Sequence, residues 1–202
     1  VFHPNGTLYV GLLDGRIAEV SFDENWYLRG AGVVLHPGVS ALTNSDVCGI
    51  TFNPYDDPAG PVKLYVSHGQ HWLNGGGAFT GPSPFTGQVS VLTGPNFGSP
   101  VALVSGLPTS NHDHGVNGLV FDHNGDLIIS VGGNTNAGVK YVTMGDLDES
   151  PLAGSLIKAQ TSRDDFNGQV TYVDRATGNP VTDQVLGENP HVAPGVPVFS
   201  SP

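Results

Sequence analysis

Residues 110–134 read SNHDHGVNGLVFDHNGDLIISVGGN, a polar cluster followed by two apolar segments on either side of Asn124-Gly125. Asn-Gly is the preferred turn of a two-residue β-hairpin, and β-branched and aromatic residues flank it. We therefore predict a strand, a tight turn and a second strand. Polar residues that lead into such a hairpin are where many all-β proteins present their binding or reacting groups.

The same pattern occurs three times, beginning at Phe2, Phe52 and Phe121. Each copy has an apolar strand ending in Phe, a Pro or Asn-Gly turn, a second apolar strand, a variable loop and a strand that opens with Gly. A unit of about four strands repeated every ~40–50 residues is typical of β-propeller blades. A β-sandwich with similar hairpins is the alternative interpretation.

The predicted fold class is all-β, with about three blades of a larger β-propeller. We place the blades at residues 1–40, 41–105 and 106–162, an inserted hairpin at 163–190 and the start of the next blade at 191–202. Propellers have roughly four to eight blades, so three blades would not close a ring. We expect the chain to be part of a longer propeller, with ring closure by oligomerisation as the alternative.

The composition argues against several classes of function. The chain has 18 acidic and 7 basic residues, and its formal net charge is −11. Without a basic stripe, nucleic-acid binding is not expected, and without a run of about 18 apolar residues, neither is a membrane span. The scarcity of lysine and the sequon at Asn5 predict a secreted or cell-surface glycoprotein.

Polar side chains cluster where the second strand of a blade ends and where the next blade begins. His112 and His114 would face the same side of a strand, as a zinc-binding pair does, or they are loop residues that bond turn backbone. Loops after equivalent strands of the second and third blades would open on one face. The predicted ligand-binding residues, suited to sugar stacking and hydrogen bonding, are His71, Trp72, Asn111, His112, Asn134 and Asn136.

Three carboxylates follow the third of these hairpins, at Asp146, Asp148 and Glu149. Like charges this close repel unless a cation or solvent lies between them. Oxygen ligands of this kind suit calcium, and Asn134 or Asn136 could complete the shell. A solvated acidic loop is the alternative interpretation.

Three elements resemble the glucose/sorbosone dehydrogenase family of six-bladed propellers. They are residues 49–54 with 64–67, His114 with 118–133, and residues 152–158; residues 199–202 stand where that family begins its next blade. The family includes soluble quinoprotein sugar dehydrogenases and the non-enzymatic propeller of Hedgehog-interacting protein. The resemblance implies a six-bladed ring.

The resemblance also implies a set of roles for the polar cluster. In the dehydrogenases a general base removes a hydroxyl proton while hydride passes to pyrroloquinoline quinone held by calcium, and the matching residues here are His114 and Asp113. Gly118 stands where the enzymes usually have Arg. Two hypotheses follow: a propeller module that binds a carbohydrate or protein partner, or a sugar dehydrogenase with His114 as base.

Overall fold

The computed structural model describes residues 1–71, 77–78, 80, 83–181, 190–193 and 199–200. The all-β prediction is confirmed, because these residues form antiparallel sheets and only one short 3-10 helix, Val142–Met144. Each sheet is open, with no strand closing it into a barrel within the described ranges.

Three sheets follow one another along the chain, and we name them A, B and C. The strands of sheet A are β1 (Leu8–Gly11), β2 (Ile17–Phe22) and β3 (Leu28–His36). Those of sheet B are β4 (Asp46–Thr51), β5 (Leu64–Gly69), β6 (Gly87–Leu92) and β7 (Val101–Leu107). Sheet C begins with β8 (Val116–Phe121), β9 (Leu127–Val131) and β10 (Ser155–Ala159). In all three sheets, consecutive strands are hydrogen-bonded neighbours.

The repeated hairpin has the predicted form. Phe2, Phe52 and Phe121 each precede the turn that leads into β1, β5 or β9, and Phe2 pairs with Leu8 as Phe121 pairs with Leu127. In the Asn124-Gly125 turn, the N–H of Asp122 donates to the carbonyl of Asp126 and the N–H of Gly125 donates to the carbonyl of Asp122. Gly125 has a φ of 81°. Glycine is favoured there because other residues rarely adopt a positive φ.

The sheets pack face to face through two apolar clusters. Tyr9 and Ile17 of sheet A meet Leu64 and Leu92 of sheet B. A second cluster joins sheets B and C, with buried side chains from β6 to β10. Alternate residues of each strand supply these contacts, because successive side chains point to opposite faces.

The first strands of sheets B and C approach so closely that a glycine is required between them. A Cβ on Gly49 would lie far inside the 3.0 Å limit of real Cβ contacts with the carbonyl oxygen of Asn117, and 2.6 Å from Ser67 Oγ. That hydroxyl donates to the same carbonyl. Gly11 of β1 packs against Val47 of β4 in a similar way. The sheets are therefore neighbours along one common edge.

The segment after residue 162 forms a small fourth sheet, D, and also contributes to sheet C. Sheet D contains β11 (Tyr172–Asp174) between β12 (Pro180–Val181) and β13 (Pro190–Val192). Tyr172 attaches sheet D to sheet B by donating from its hydroxyl to the carbonyl of Gly106, at 2.9 Å. The final strand, β14 (Phe199–Ser200), pairs with β10 as the fourth strand of sheet C. Within 191–202, the described residues of β13 therefore belong to sheet D, and those of β14 belong to sheet C.

Candidate functional site

Polar side chains gather at one edge of sheets B and C, where β4 and β8 begin and where β5 and β9 end. We call this edge the polar face, and its members are Asp46, His71, Asn111, His112, Asp113 and His114. The two hairpins place these residues together because they run in the same sense and lie side by side. The structure thereby brings together three of the six predicted ligand-binding residues, His71, Asn111 and His112.

His71 is the buried member of the polar face. Its backbone N–H donates to Asp46 Oδ2 at 2.7 Å, and the same oxygen lies 3.7 Å from its Nδ1. Burial lowers the pKa of His71, and the charges of Asp46 and Asp113 act in the opposite direction. A neutral imidazole is thus held between the two sheets.

The other ring nitrogen of His71 faces the backbone of the loop that precedes β8. A Cβ on Gly115 would overlap His71 Nε2, so only glycine fits at that position. Nε2 is buried and has no hydrogen-bond partner among the residues that the structure describes. An unpaired buried polar atom is costly to stability, and such atoms occur where a ligand or water completes the site.

His112, Asp113 and His114 form the exposed part of the polar face. His112 Nδ1 lies 2.8 Å from Asp113 Oδ1, and His114 Nε2 lies 3.7 Å from the same oxygen. The hydrogen bond from His112 lowers the pKa of Asp113, and the Asp113 side chain is 58% exposed. The result is a solvent-facing carboxylate between two imidazoles.

The ring of His114 is oriented by the loop after β9. Its Nδ1 donates to the carbonyl oxygen of Gly133 at 3.3 Å, so Nε2 carries the lone pair in the neutral ring. The backbone N–H of His114 donates to Ser110 Oγ at 3.0 Å, and the backbone N–H of Ser110 donates to the His114 carbonyl. His114 Nε2 can therefore accept a hydrogen bond or a proton from a hydroxyl group.

Asn134 serves the scaffold of this edge. Its side chain is fully buried, donates to the carbonyl of Thr109 at 2.9 Å, and accepts from the N–H and hydroxyl of Ser150. It ties together the loops before β8, after β9 and before β10. A ligand could reach this amide only by breaking those bonds.

Asn111 is buried as well, and only the nitrogen of its side-chain amide has a hydrogen-bond partner in the described structure. Its Nδ2 donates to the carbonyl of Gly77 at 2.5 Å. Its Oδ1 has no hydrogen-bond partner in the described ranges. Asn111 and His71 thus each contribute one unpaired buried polar atom to the polar face.

Two of the three carboxylates of the acidic loop have partners of their own, and the third is exposed. Glu149 accepts bonds from the backbone N–H groups of Asn134 (2.8 Å) and Thr135 (3.2 Å) and from the Thr135 hydroxyl. Asp148 pairs with Lys140 at 3.1 Å, and Asp146 is exposed. Across the described ranges, no group of three or more His, Cys, Asp or Glu side chains lies close enough to hold a metal ion.

The remaining predicted residues lie apart from this cluster or cannot be placed. Asn136 is exposed in the loop after β9, and Asn5 lies in the turn before β1, towards the other end of sheet A. Trp72 falls outside the described residues.

Three residues that contribute to the polar face were not predicted from the sequence. Asp46 and Gly115 position the His71 ring from opposite sides, as described above. His68 is fully buried beneath this edge, where Nδ1 donates to the carbonyl of Asn44 at 2.5 Å and Nε2 accepts from Ser90 Oγ at 2.9 Å. Burial lowers the pKa of His68. Only its place beside His71 at the end of β5 gave a sequence signal for it.

Comparison with known proteins does not assign the chain to a family. No protein-family model matches the chain, and no curated protein matches it. Within the described ranges, no helix has both the length and the apolar character needed to cross a membrane.

Proposed function

We propose that the chain is a β-propeller module of a secreted or cell-surface protein and that the polar face binds its partner. Sheets A, B and C support the propeller hypothesis because each is an antiparallel meander and because they stack in chain order. The close approach of β4 and β8 at Gly49 also supports the hypothesis, because propeller blades surround a central channel and their inner strands lie side by side there. The resemblance to the glucose/sorbosone dehydrogenase family agrees with six blades.

One observation carries the binding hypothesis: buried, unpaired polar atoms lie beside an exposed carboxylate and two imidazoles. His71 Nε2 and Asn111 Oδ1 lack partners in the described structure, while Asp113 and His114 face solvent. Together these four side chains offer hydrogen-bond acceptors and a hydrogen-bond donor to a ligand rich in hydroxyl groups. We infer a carbohydrate partner, with a protein side chain of similar chemistry as the alternative.

A second function is favoured by the orientation of His114. The bond from Nδ1 to Gly133 leaves the Nε2 lone pair available, which a general base requires. The dehydrogenase hypothesis also needs calcium and pyrroloquinoline quinone. Calcium at Asp146, Asp148 and Glu149 stays a prediction of that hypothesis, although Glu149 bonds to backbone N–H groups and Asp148 pairs with Lys140 in the described structure.

The binding hypothesis is tested by measuring glycan binding of matched histidine variants. We expect His114→Ala and His112→Ala to reduce binding to an immobilised glycan panel at least tenfold. His123→Ala is the control, since His123 is exposed in the β8–β9 turn at the other end of the sheet. Equal binding by all three variants, or no binding by the unmodified protein, would overturn the hypothesis.

The dehydrogenase hypothesis is tested by dye reduction with aldoses, calcium and the quinone. We expect the His114→Ala variant to lose this activity and the His123→Ala variant to retain it. Activity that is unchanged in the His114→Ala variant would remove His114 from the role of base.

A further inference from the structure

A cleft of about 350 Å³ opens at the end of sheet A that lies away from the polar face. The turn before β1 and the turn between β2 and β3 form its walls. Its volume falls within the range of small-molecule sites, which begins at roughly 300 Å³. The lining residues that matter here are Asn5, Phe22, Asp23, Glu24, Trp26 and Arg29.

Trp26 occupies a backbone position that the matching turns before β1 and between β8 and β9 give to glycine, and it is one of five described non-glycine residues with a positive φ. It has a φ of 64°, whereas the equivalent left-handed positions at Gly6 and Gly125 have φ values of 87° and 81°. A bulky residue at positive φ is a backbone outlier, and outliers of this kind cluster at functional sites. Asp23 stabilises the turn by accepting from the N–H groups of Asn25 and Tyr27 at 2.8 and 2.9 Å.

Two phenylalanines support the indole from one side. The ring centroids of Phe2 and Phe22 lie 6.0 and 5.8 Å from that of Trp26. Trp26 nevertheless remains 67% exposed. A positioned aromatic surface next to the cleft is therefore open to a ligand.

Charged groups with unused hydrogen-bonding capacity surround this surface. Glu24 and Arg29 are exposed and have no hydrogen bond or ion pair with any residue that the structure describes. A carboxylate offers acceptors and a guanidinium offers a fork of donors. An aromatic ring with such groups beside it suits a sugar ring. The apolar C–H face of the sugar can stack on the indole, and the hydroxyls at its edge can bond to the charged groups.

We propose that the cleft binds a pyranose ring stacked on the Trp26 indole, with its hydroxyls bonded to Glu24 and Arg29. The sugar has two candidate sources. One is a free saccharide. The other is a glycan on Asn5, whose sequon Asn5-Gly6-Thr7 lies in the wall of the same cleft. The site is distinct from the polar face, so it does not depend on the function proposed for that face.

The first arm of the test uses unglycosylated protein from a bacterial host. It is titrated with N-acetylglucosamine, diacetylchitobiose and cellobiose, and binding is followed by saturation-transfer difference NMR. Trp26→Gly removes the ring while suiting the positive φ, so the variant should keep the turn although it loses the contacts with Phe2 and Phe22. We expect it to lose at least tenfold in affinity, while Tyr27→Ser, at an exposed neighbour outside the cleft wall, retains affinity.

The second arm uses protein secreted from a eukaryotic host. We expect a mass shift that peptide N-glycosidase removes and that Asn5→Gln abolishes. If the attached sugar stacks on Trp26, deglycosylation should lower the melting temperature by about 2–4 °C, and the Trp26→Gly background should show no such change.

The outcomes separate the two sources. Trp26-dependent binding in the first arm assigns the cleft to a free saccharide, and a Trp26-dependent stability change in the second assigns it to the glycan on Asn5. No sugar binding in the first arm together with no Trp26-dependent change in the second overturns the proposal. Sugar binding that the Trp26→Gly variant retains would also overturn it.

Discussion

Replacing Gly49 with alanine tests the contact between sheets B and C directly. The new methyl would overlap the Asn117 carbonyl and lie 2.6 Å from Ser67 Oγ, so one strand must move and the Ser67 bond is lost. Overpacking costs about 1–3 kcal/mol and a lost hydrogen bond about 1 kcal/mol. The lower entropy of the unfolded alanine chain offsets at most about 1 kcal/mol. The free energy of unfolding should therefore fall by about 1–3 kcal/mol.

The matched control is Gly118→Ala on the adjoining strand, β8. There the nearest atom to the new methyl is Ser130 Oγ at 3.3 Å, a side-chain atom that can shift by a few tenths of an ångström. We expect this variant to be as stable as the unmodified protein, or more stable by up to about 1 kcal/mol. Both variants differ from the unmodified protein by a single methyl group on a strand glycine.

Differential scanning calorimetry and urea unfolding would measure the difference. For a domain of this size, the Gly49→Ala variant should melt roughly 2–12 °C lower, with an unchanged urea m-value. Equal stability of the two variants would refute the close approach of β4 and β8. The support that this contact lends to the propeller hypothesis would then be lost.

Three further predictions concern polar groups of the scaffold. Asn134→Ala leaves buried partners unsatisfied and should lower the free energy of unfolding by about 1–3 kcal/mol in urea unfolding; a loss of less than about 0.5 kcal/mol would contradict the bonding described. Burial lowers the pKa values of His68 and His71, so both should titrate below about 6.5 in NMR. The folded protein should then lose stability as pH falls through those values, and a pKa above about 6.5 for either ring would exclude this. The hydrogen bond from Lys158 lowers the pKa of Asp122 to about 2. The ionised Asp122 carboxylate therefore stabilises the folded protein above about pH 4, and this contribution is lost as pH falls towards 2. Asp122→Asn should flatten the pH dependence of stability in that window, and identical profiles for the two proteins would rule this out.

The hairpins could be predicted from the sequence because their signals are local. An Asn-Gly turn between apolar segments predicts a turn with a strand on each side, as after Phe121. The register differs from that of a two-residue turn, because Phe121 pairs with Leu127. The position of the polar residues at the strand ends follows from the same signals. His71 and His114 could thus be assigned to one edge without knowledge of any contact.

Contacts between distant segments could not be predicted in this way. Two of the three acidic residues that suggest calcium in the sequence have partners that the sequence did not indicate: Glu149 bonds backbone N–H groups of the loop after β9, and Asp148 pairs with Lys140. The pairing of Phe199 with β10 depends on how the intervening segment folds back. The sequence did not predict the role of Trp26, because no residue next to it indicates that its backbone has a positive φ.

The partner of β10 has a consequence for the order of folding. The chain must bring Phe199 back to Ala159 across the whole segment 160–198, and closing so long a loop costs about 2 kcal/mol more entropy than a hairpin loop of ordinary length. Non-local pairing of this kind slows folding. While residues beyond 160 are still being synthesised, the outer side of β10 offers unpaired backbone groups to other chains. During synthesis, sheet C therefore has an open edge at β10 that the complete fold covers with β14.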